Sequence, residues 1–247
     1  MIYNLDIKEM MKMNILFMLP ARSGSKGIKD KNIKMLNGKP LMYYAIDAIM
    51  SSKTYKKHNC YIFVNTDSEK YAEIAKKRGA NVPYIRKKNL ANDKSVIVDT
   101  IKDAFKYFEN KGVRFEIFSL IQITSPLITG LEIDRAVERF HNDTNIDTLV
   151  SVTESEVMPL WCNTLNKNLS MNNFISENVR SKNRQELPKY YRITGSIYMA
   201  KWESLKKNGF DWYKGNSEAL IIDNEKSVDI DNEMDFEWAE FLIKKRR

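Results

Sequence analysis

The chain has 247 residues, of which 43% are hydrophobic, and a formal net charge of +8 at pH 7. This length fits one α/β domain that carries an insertion, and the apolar fraction excludes an intrinsically disordered chain. No apolar run is long enough to cross a bilayer, so the composition excludes a membrane-spanning protein.

The basic residues lie largely in lysine pairs at predicted helix ends and turns, where cations complement the helix dipole. No RNA-recognition or helix-turn-helix pattern accompanies them, so we expect anionic small molecules as partners, and neither nucleic acid nor membrane.

Cys60 and Cys162 lack metal-ligand spacing, which is typical of reduced thiols in a cytoplasmic protein. Residues 1–13 lack the features of a secretion signal, and we expect a flexible extension before a domain at 14–247.

From residue 14 onward, short apolar runs alternate with amphipathic stretches, which predicts strands alternating with helices. The predicted strands are 14–20, 60–65, 82–85, 115–123, 147–153, 193–200 and 218–222. The predicted helices are 40–51, 66–78, 96–110, 130–142, 201–207 and 232–245. For the second helix, Thr66 or Asp67 is the expected N-cap and Gly79 the expected end. Repeated β-α units predict a mostly parallel sheet with helices on both faces, whose ligands collect at the carboxyl ends of the strands.

Residues 154–191 interrupt this rhythm. The segment is polar, rich in asparagine and without a long helical period. Because a structureless loop of this length is unusual inside a domain, we expect an inserted lobe, a lid or an interface with a second subunit.

The first strand runs into a basic loop that contains two glycines, Gly24 and Gly27. Glycines allow close backbone approach, and the exposed N–H groups of such a loop can bind an anion. Arg22, Lys26 and Lys31 add positive charge, which favours a polyphosphate ligand. The spacing matches neither the Walker A nor the dinucleotide-binding pattern, and a surface turn with solvated lysines is the alternative.

Polar residues also follow later strands. Gln122 ends an apolar strand, where it must either cap neighbouring backbone or face a ligand. Asp229 and Asp231 are two residues apart, so in an extended stretch both carboxylates point to one side and repel unless a cation lies between them. A hard ion such as Mg²⁺, shared with phosphate oxygens, fits this arrangement. Asp231 has an alternative role as the N-cap of the last helix, as Ser95 has for the helix at 96–110.

Several of these motifs resemble those of the acylneuraminate cytidylyltransferases, which make CMP-sialic acid and its relatives CMP-legionaminic and CMP-pseudaminic acid. The similar stretches are P-A-R-S-G-S-K-G at 20–27, L-N-G-K-P-L at 36–41, R-x-x-x-L-A-x-D at 86–93, L-I-Q-I-T-S-P-L at 120–127, R-Q-E-L-P at 184–188 and S-V-D-I-D at 227–231. The resemblance extends from residue 14 to the last helix. The sequence departs from the family pattern at Ile97, Ile123, Ile128 and Thr194.

The resemblance implies a Rossmann-like nucleotidyltransferase fold with a small extension that forms a homodimer. It further implies transfer of CMP from CTP to the anomeric hydroxyl of a nine-carbon acidic sugar, with Mg²⁺ and release of pyrophosphate. Backbone at Ala21 would bind cytosine, with Arg86 and Ser95 nearby. The residues assigned to the triphosphate are Arg22, Lys26, Lys31 and Asn32. Those assigned to the acidic sugar are Gln122, Thr124, Ser125, Arg184, Arg192 and Tyr198.

The catalytic residues implied in this way are Arg22, Lys31 and Asp231, and the metal ligands are Asp229 and Asp231. Arginine pairs a carboxylate bidentately, which suits Arg184 and Arg192 to a sugar acid. The proton acceptor is Asp231 or a metal-bound water. Three alternatives remain: legionaminic or pseudaminic acid as acceptor, a nucleotidyltransferase for sugar 1-phosphates, and a non-catalytic nucleotide-binding module.

Overall fold

The strands and helices follow one another much as the sequence predicts. The computed structural model describes residues 12–25, 27–92 and 95–246. The strands in these ranges are β1 Asn14–Pro20, β2 Met35–Leu36, β3 Lys39–Pro40, β4 Asn59–Asn65, β5 Ile117–Ile121, β6 Thr148–Glu154, β7 Tyr191–Lys201 and β8 Ser217–Ile221. The α-helices are α1 Leu41–Ser51, α2 Lys53–Lys57, α3 Glu69–Lys77, α4 Ile97–Asn110, α5 Gly130–Asn142, α6 Glu177–Arg180, α7 Trp202–Lys207 and α8 Glu233–Lys245.

The main sheet has the strand order β4-β1-β5-β7-β6-β8. β1 pairs in parallel with β4 and β5, and β6 pairs in parallel with β8. β7 runs antiparallel to both of its neighbours, so one reversed strand divides two parallel groups. The predicted α/β class and mostly parallel sheet are confirmed. β2 and β3 form a separate hairpin whose turn places Asn37 and Gly38 at positive φ, the backbone that an Asn-Gly hairpin turn requires.

Alternate side chains of β1 enter two different cores, because successive residues of a strand point to opposite faces. Ile15 and Phe17 pack with residues of α1, α3, α5 and α8. Leu16 and Met18 pack on the other face with the aromatic side chains of α4 and α7. In that second core the ring of Phe105 stacks on Trp202 with centroids 3.5 Å apart. Helices therefore cover both faces of the sheet, as predicted.

Two local predictions are wrong. The strand expected at 82–85 is replaced by an isolated bridge between Phe63 and Asn81, because Pro83 lacks the N–H that a continued ladder would need.

The second concerns the N-cap of α3. The cap is Ser68, whose hydroxyl accepts a hydrogen bond from the N–H of Tyr71, and neither Thr66 nor Asp67. Asp67 is thereby left for a different contact.

The segment at 154–191 connects β6 to β7 and contains only short helical turns. Its own apolar cluster is small, formed by Met158, Val179 and Leu187 with partly buried neighbours. Large apolar side chains such as Leu169 and Met171 remain exposed on it. Its role as a lid or subunit interface stays a prediction. Across the described ranges, no helix combines the length and apolarity needed to cross a membrane.

Candidate active site

A cleft of about 400 Å³ opens where β1, β4 and β5 end, between the loop that follows β1 and the loop that precedes α8. Such an edge is where α/β sheets bind ligands. The cleft is lined by Pro20, Arg22, Ser25, Gly27, Lys31, Asn32, Arg86, Leu90, Asn92, Ser95, Ile97, Thr100, Gln122, Thr124 and Asp231. Most of the predicted nucleotide residues, and two of those predicted for the sugar, thus meet in one place.

The loop after β1 is folded back on its own start. The amide Nδ2 of Asn32, which is buried, donates to the backbone oxygen of Arg22 over 3.0 Å. The N–H of Ala21 donates to the oxygen of Asn65 over 2.9 Å, and Ala21 is fully buried beneath the cleft. Its side chain therefore does not line the cavity. Lys26 lies outside the described residues.

Lys31 joins this loop to the carboxylate-bearing loop almost two hundred residues later. Its Nζ donates to the backbone oxygen of Ile230 over 2.5 Å and lies 3.2 Å from Oδ1 of Asp231. The two loops also touch at Gly27, where a Cβ atom would lie 2.1 Å from the oxygen of Asp231. The predicted triphosphate loop and the predicted metal loop are therefore in direct contact.

Asp229 and Asp231 stand at the boundary between two clefts. Asp231 lines the cleft described above, whereas Asp229 lines a neighbouring cleft of about 520 Å³ with Arg192 and Trp238. Although Asp229 is exposed as a residue, desolvation of its carboxylate raises its pKa, and nearby carboxylates raise it further. The hydroxyl of Thr124 donates to Asp229 and opposes this shift.

Asp229 and Asp231 are hard oxygen donors in one loop, and the charge of Asp231 acts on Asp229, so their chemistry suits Mg²⁺. The ammonium group of Lys31 already pairs with Asp231 at this point. Among the residues described, no group of three or more acidic, His or Cys side chains is placed to hold a metal. Two carboxylates with phosphate oxygens and waters are nevertheless a common way to hold Mg²⁺.

The alternative role of Asp231 as an N-cap is wrong, since Asn232 caps α8 in a capping box.

Arg86 supplies a buried positive charge at the back of the cleft. It is 4% exposed, and its Nε and one terminal nitrogen have no hydrogen-bond partner in the described part of the chain. Burial lowers the pKa of Arg86, and the carboxylate of Asp67 at 3.9 Å opposes that shift. Because buried donors are costly when unpaired, these nitrogens are suited to a ligand with oxygen acceptors.

Ser95 also lines the cleft, and its Oγ donates to the oxygen of Asn89 over 2.8 Å. It does not cap α4, whose N-cap is Val96, so the capping alternative for Ser95 is wrong. Asp93 lies outside the described residues.

The residues predicted for the sugar are only partly brought together. Gln122 and Thr124 line the cleft, while Ser125 is fully buried with its Oγ unpaired within the described ranges. Arg192 lines the neighbouring cleft, where it pairs with Glu156 over 3.2 Å.

The remaining two residues lie outside both clefts. Arg184 donates to the backbone oxygen of Glu156 and lines neither cavity. Tyr198 packs against Trp212 with ring centroids 5.3 Å apart, and burial raises its pKa. The structure therefore gives Tyr198 a place in the core, with Asp229 close enough to contribute to the shift.

Sequence reasoning missed Asp67, which contacts the loop after β1. Its two carboxylate oxygens accept hydrogen bonds from the N–H and the Oγ of Ser23, over 2.9 and 2.8 Å. The available signal is a polar residue two positions after the end of an apolar strand, but its position before a helix suggests a cap instead.

Comparison with known proteins gives consistent results. The sequence model described as "Cytidylyltransferase" matches residues 16–234. The N-acylneuraminate cytidylyltransferase of Streptococcus agalactiae serotype V is 34% identical over 91% of this chain, which spans only 52% of that protein. The CMP-N,N'-diacetyllegionaminic acid synthase of Legionella pneumophila is 32% identical, with 94% of this chain and 97% of that protein covered.

The fold is similar to that of CMP:2-keto-3-deoxy-manno-octonic acid synthetase complexed with CTP. The TM-score is 0.67 at 14% sequence identity, and the match covers 95% of this chain and 100% of the other. A likeness at this identity concerns the fold alone. The match over residues 16–234 extends from β1 through the Asp229–Asp231 loop, and it includes every residue that lines the cleft. The chain therefore belongs to the cytidylyltransferase family.

Proposed function

We propose that the chain transfers CMP from CTP to the anomeric hydroxyl of a nine-carbon acidic sugar and releases pyrophosphate. The observation that carries the proposal is the meeting of a cationic loop and a carboxylate loop over one cleft, through Lys31 and Asp231. The names of the relatives support an N-acylneuraminate as acceptor, with legionaminic or pseudaminic acid as the alternatives.

The cleft offers CTP a phosphate site and a buried cation. Arg22, Lys31 and Asn32 line it, where they would hold the triphosphate, and the buried Arg86 lines it as well. Phosphoryl-type transfer depends mainly on positioning the substrates and on neutralising negative charge. Cationic side chains along the phosphates supply both. Mg²⁺ held by Asp229 and Asp231 would add charge neutralisation at the phosphate oxygens.

In this mechanism the anomeric hydroxyl attacks the α-phosphorus in line. A new bond forms between the sugar oxygen and phosphorus, and the bond to the bridging oxygen of the leaving pyrophosphate breaks. We propose that Asp231, or a metal-bound water beside it, accepts the proton of the hydroxyl; the exposed carboxylate of Asp231 lines the cleft, which supports this role. The mechanism does not require a covalent intermediate on the protein.

The acceptor would enter beside Gln122 and Thr124, next to the neighbouring cleft that contains Arg192. Arg192 is at present paired with Glu156 at the edge of the segment 154–191, so a sugar carboxylate would have to compete for its guanidinium. We propose that this segment, with its exposed apolar side chains, forms a homodimer contact. Because the donor is CTP, we place the reaction in the cytoplasm.

Pyrophosphate release with CTP and Mg²⁺ tests the proposal. The acceptor panel contains N-acetylneuraminic, legionaminic and pseudaminic acids, Kdo and sugar 1-phosphates, with UTP, ATP and GTP as control donors. We expect release with CTP and one nine-carbon acid only. Release with a sugar 1-phosphate would replace the proposed acceptor class. Binding of CTP without turnover on any acceptor would favour a non-catalytic nucleotide-binding module.

A further inference from the structure

Asp67 connects three parts of the cleft that no local sequence pattern brings together. It follows β4, and its side chain is 14% exposed. Its carboxylate accepts two hydrogen bonds from Ser23 and lies 3.9 Å from a terminal nitrogen of Arg86. The residue is therefore neither a helix cap nor a solvated surface charge.

The contact with Ser23 prolongs the pairing of β1 with β4 beyond the end of both strands. The last backbone bond in this direction runs from the N–H of Ala21 to the oxygen of Asn65. Two residues further along each chain, the N–H of Ser23 meets the side-chain carboxylate of Asp67, where a ladder would offer a backbone oxygen. The carboxylate thus fixes the loop at the point where regular pairing ends.

Arg22 and Ser25 flank this anchor, and both line the cleft. If the anchor were released, the bonds from Asn32 to the oxygen of Arg22 and from Ala21 to Asn65 would remain, but the loop beyond Ala21 would lose both of its hydrogen bonds to Asp67. Hydrogen bonds to a charged acceptor are stronger than those between neutral groups, so the two bonds to Asp67 restrict the movement of the loop.

The same carboxylate also balances the buried charge of Arg86. The N–H of Arg86 donates to the oxygen of Thr66, so the backbone places Arg86 next to Asp67. Among the charges that act on Arg86, Asp67 opposes burial most strongly, whereas Arg22 repels the guanidinium. A neutral residue at position 67 would remove the negative charge that offsets the repulsion between Arg22 and Arg86. Both side chains would then change their orientation towards a ligand.

We propose that Asp67 is a positioning residue for the nucleotide, which holds the loop after β1 through Ser23 and orients Arg86. The inference rests on the proposed function, since it assigns this wall of the cleft to CTP. Asp67 itself touches no reacting atom in this scheme. Its loss should weaken the nucleotide site and leave the acceptor site, around Gln122 and Thr124, unchanged.

The test compares Asp67→Asn with a matched variant, Asp134→Asn. Asp134 accepts hydrogen bonds from the N–H and the Oγ of Thr54, over 2.7 and 2.8 Å, so it makes the same kind of contact away from the cleft. Both variants should lose similar thermal stability. We expect the Kd and KM for CTP to rise about 10- to 100-fold in Asp67→Asn only, with the KM for the acidic sugar within about twofold of wild type.

Ser23→Ala is the milder companion variant, for use if Asp67→Asn folds poorly. It removes the Oγ bond and keeps the N–H bond, so we expect a rise in the Kd for CTP of about fivefold. The double variant should be no worse than Asp67→Asn alone, because both changes release one anchor.

Calorimetric titration of CTP separates the two proposals. If wild type and Asp67→Asn bind CTP with the same Kd, the positioning role alone is overturned. If Asp67→Asn raises the KM for CTP and the KM for the acidic sugar equally, Asp67 contributes only to general stability. The same holds if Asp134→Asn weakens CTP binding as much as Asp67→Asn does. Wild type that binds no CTP would overturn the proposed function, and this inference with it.

Discussion

Substitution of Gly27 by alanine tests whether the contact between the two loops sets the geometry of the site. A Cβ at this position would lie 2.1 Å from the backbone oxygen of Asp231, and real Cβ contacts are not found below 3.0 Å. The loops must therefore separate by about 0.9 Å to accept a single methyl group. The clashing atom belongs to backbone, so no side-chain rotation relieves it.

The effect on turnover follows from that displacement. A misplacement of about 1 Å between reacting groups can cost on the order of 100-fold in rate. We expect the kcat for pyrophosphate release to fall about 10- to 100-fold in Gly27→Ala, because Lys31 and Asp231 move apart. The assay is steady-state pyrophosphate release with saturating CTP, Mg²⁺ and acidic sugar.

Gly24→Ala is the matched change in the same loop. Among the described residues, no atom beyond its chain neighbours lies within 4 Å of the Cβ that would be added there, so we expect at most a threefold change in kcat. The reasoning is refuted if Gly27→Ala, with a melting temperature near that of wild type, turns over at the wild-type rate. It is also refuted if both alanine variants lose activity equally.

Three further predictions concern single groups. Asp231→Asn should lower pyrophosphate release at least about 100-fold while CTP still binds without metal in calorimetry; undiminished turnover would contradict the roles given to Asp231. Lys226 pairs with the buried Glu132 over 2.5 Å, so Lys226→Met should lower the free energy of unfolding by about 3 kcal/mol at pH 7, measured with urea. Although burial acts to raise the pKa of Glu132, hydrogen bonds from Lys226 and from a threonine hold it below 4.5. Without Lys226, burial should raise the pKa of Glu132, so the advantage of wild type should be largest near neutral pH and shrink as the pH falls towards the lowered wild-type value; a difference that stayed constant with pH would contradict this. Burial raises the pKa of the Cys60 thiol to about 12, whereas Cys162 is exposed, so iodoacetamide at pH 8 should label Cys162 alone in the folded protein, as read by peptide mass mapping; equal labelling would contradict the burial of Cys60.

The sequence predicted most elements because their patterns are local. Six of the predicted helices match α1, α3, α4, α5, α7 and α8 within three residues at either end. The short α2 and the hairpin of β2 and β3 were not anticipated, since few residues carry each of them. The strand at 82–85 failed because one proline outweighed an apolar pattern.

The candidate site was predictable where a motif carried its own chemistry. The basic loop after β1, Gln122 and the Asp229–Asp231 pair were all found from residue type and spacing, and the loop and Asp231 meet in the cleft. Arg184 was assigned from resemblance alone and lies away from the cleft in this single chain.

The β-α pattern, the basic glycine loop and the late pair of carboxylates can all be predicted from the sequence, because each depends on residues close together along the chain. Which of these features lie in contact depends on how the chain folds. Strand order brings Ser23 to Asp67, and the return of the chain before α8 brings Asp231 to Lys31 and Gly27. The antiparallel direction of β7, between β5 and β6, likewise depends on how the strands assemble into the sheet. Contacts between distant residues follow from how the strands pack, and hydrophobic periodicity within one strand carries no information about its neighbour.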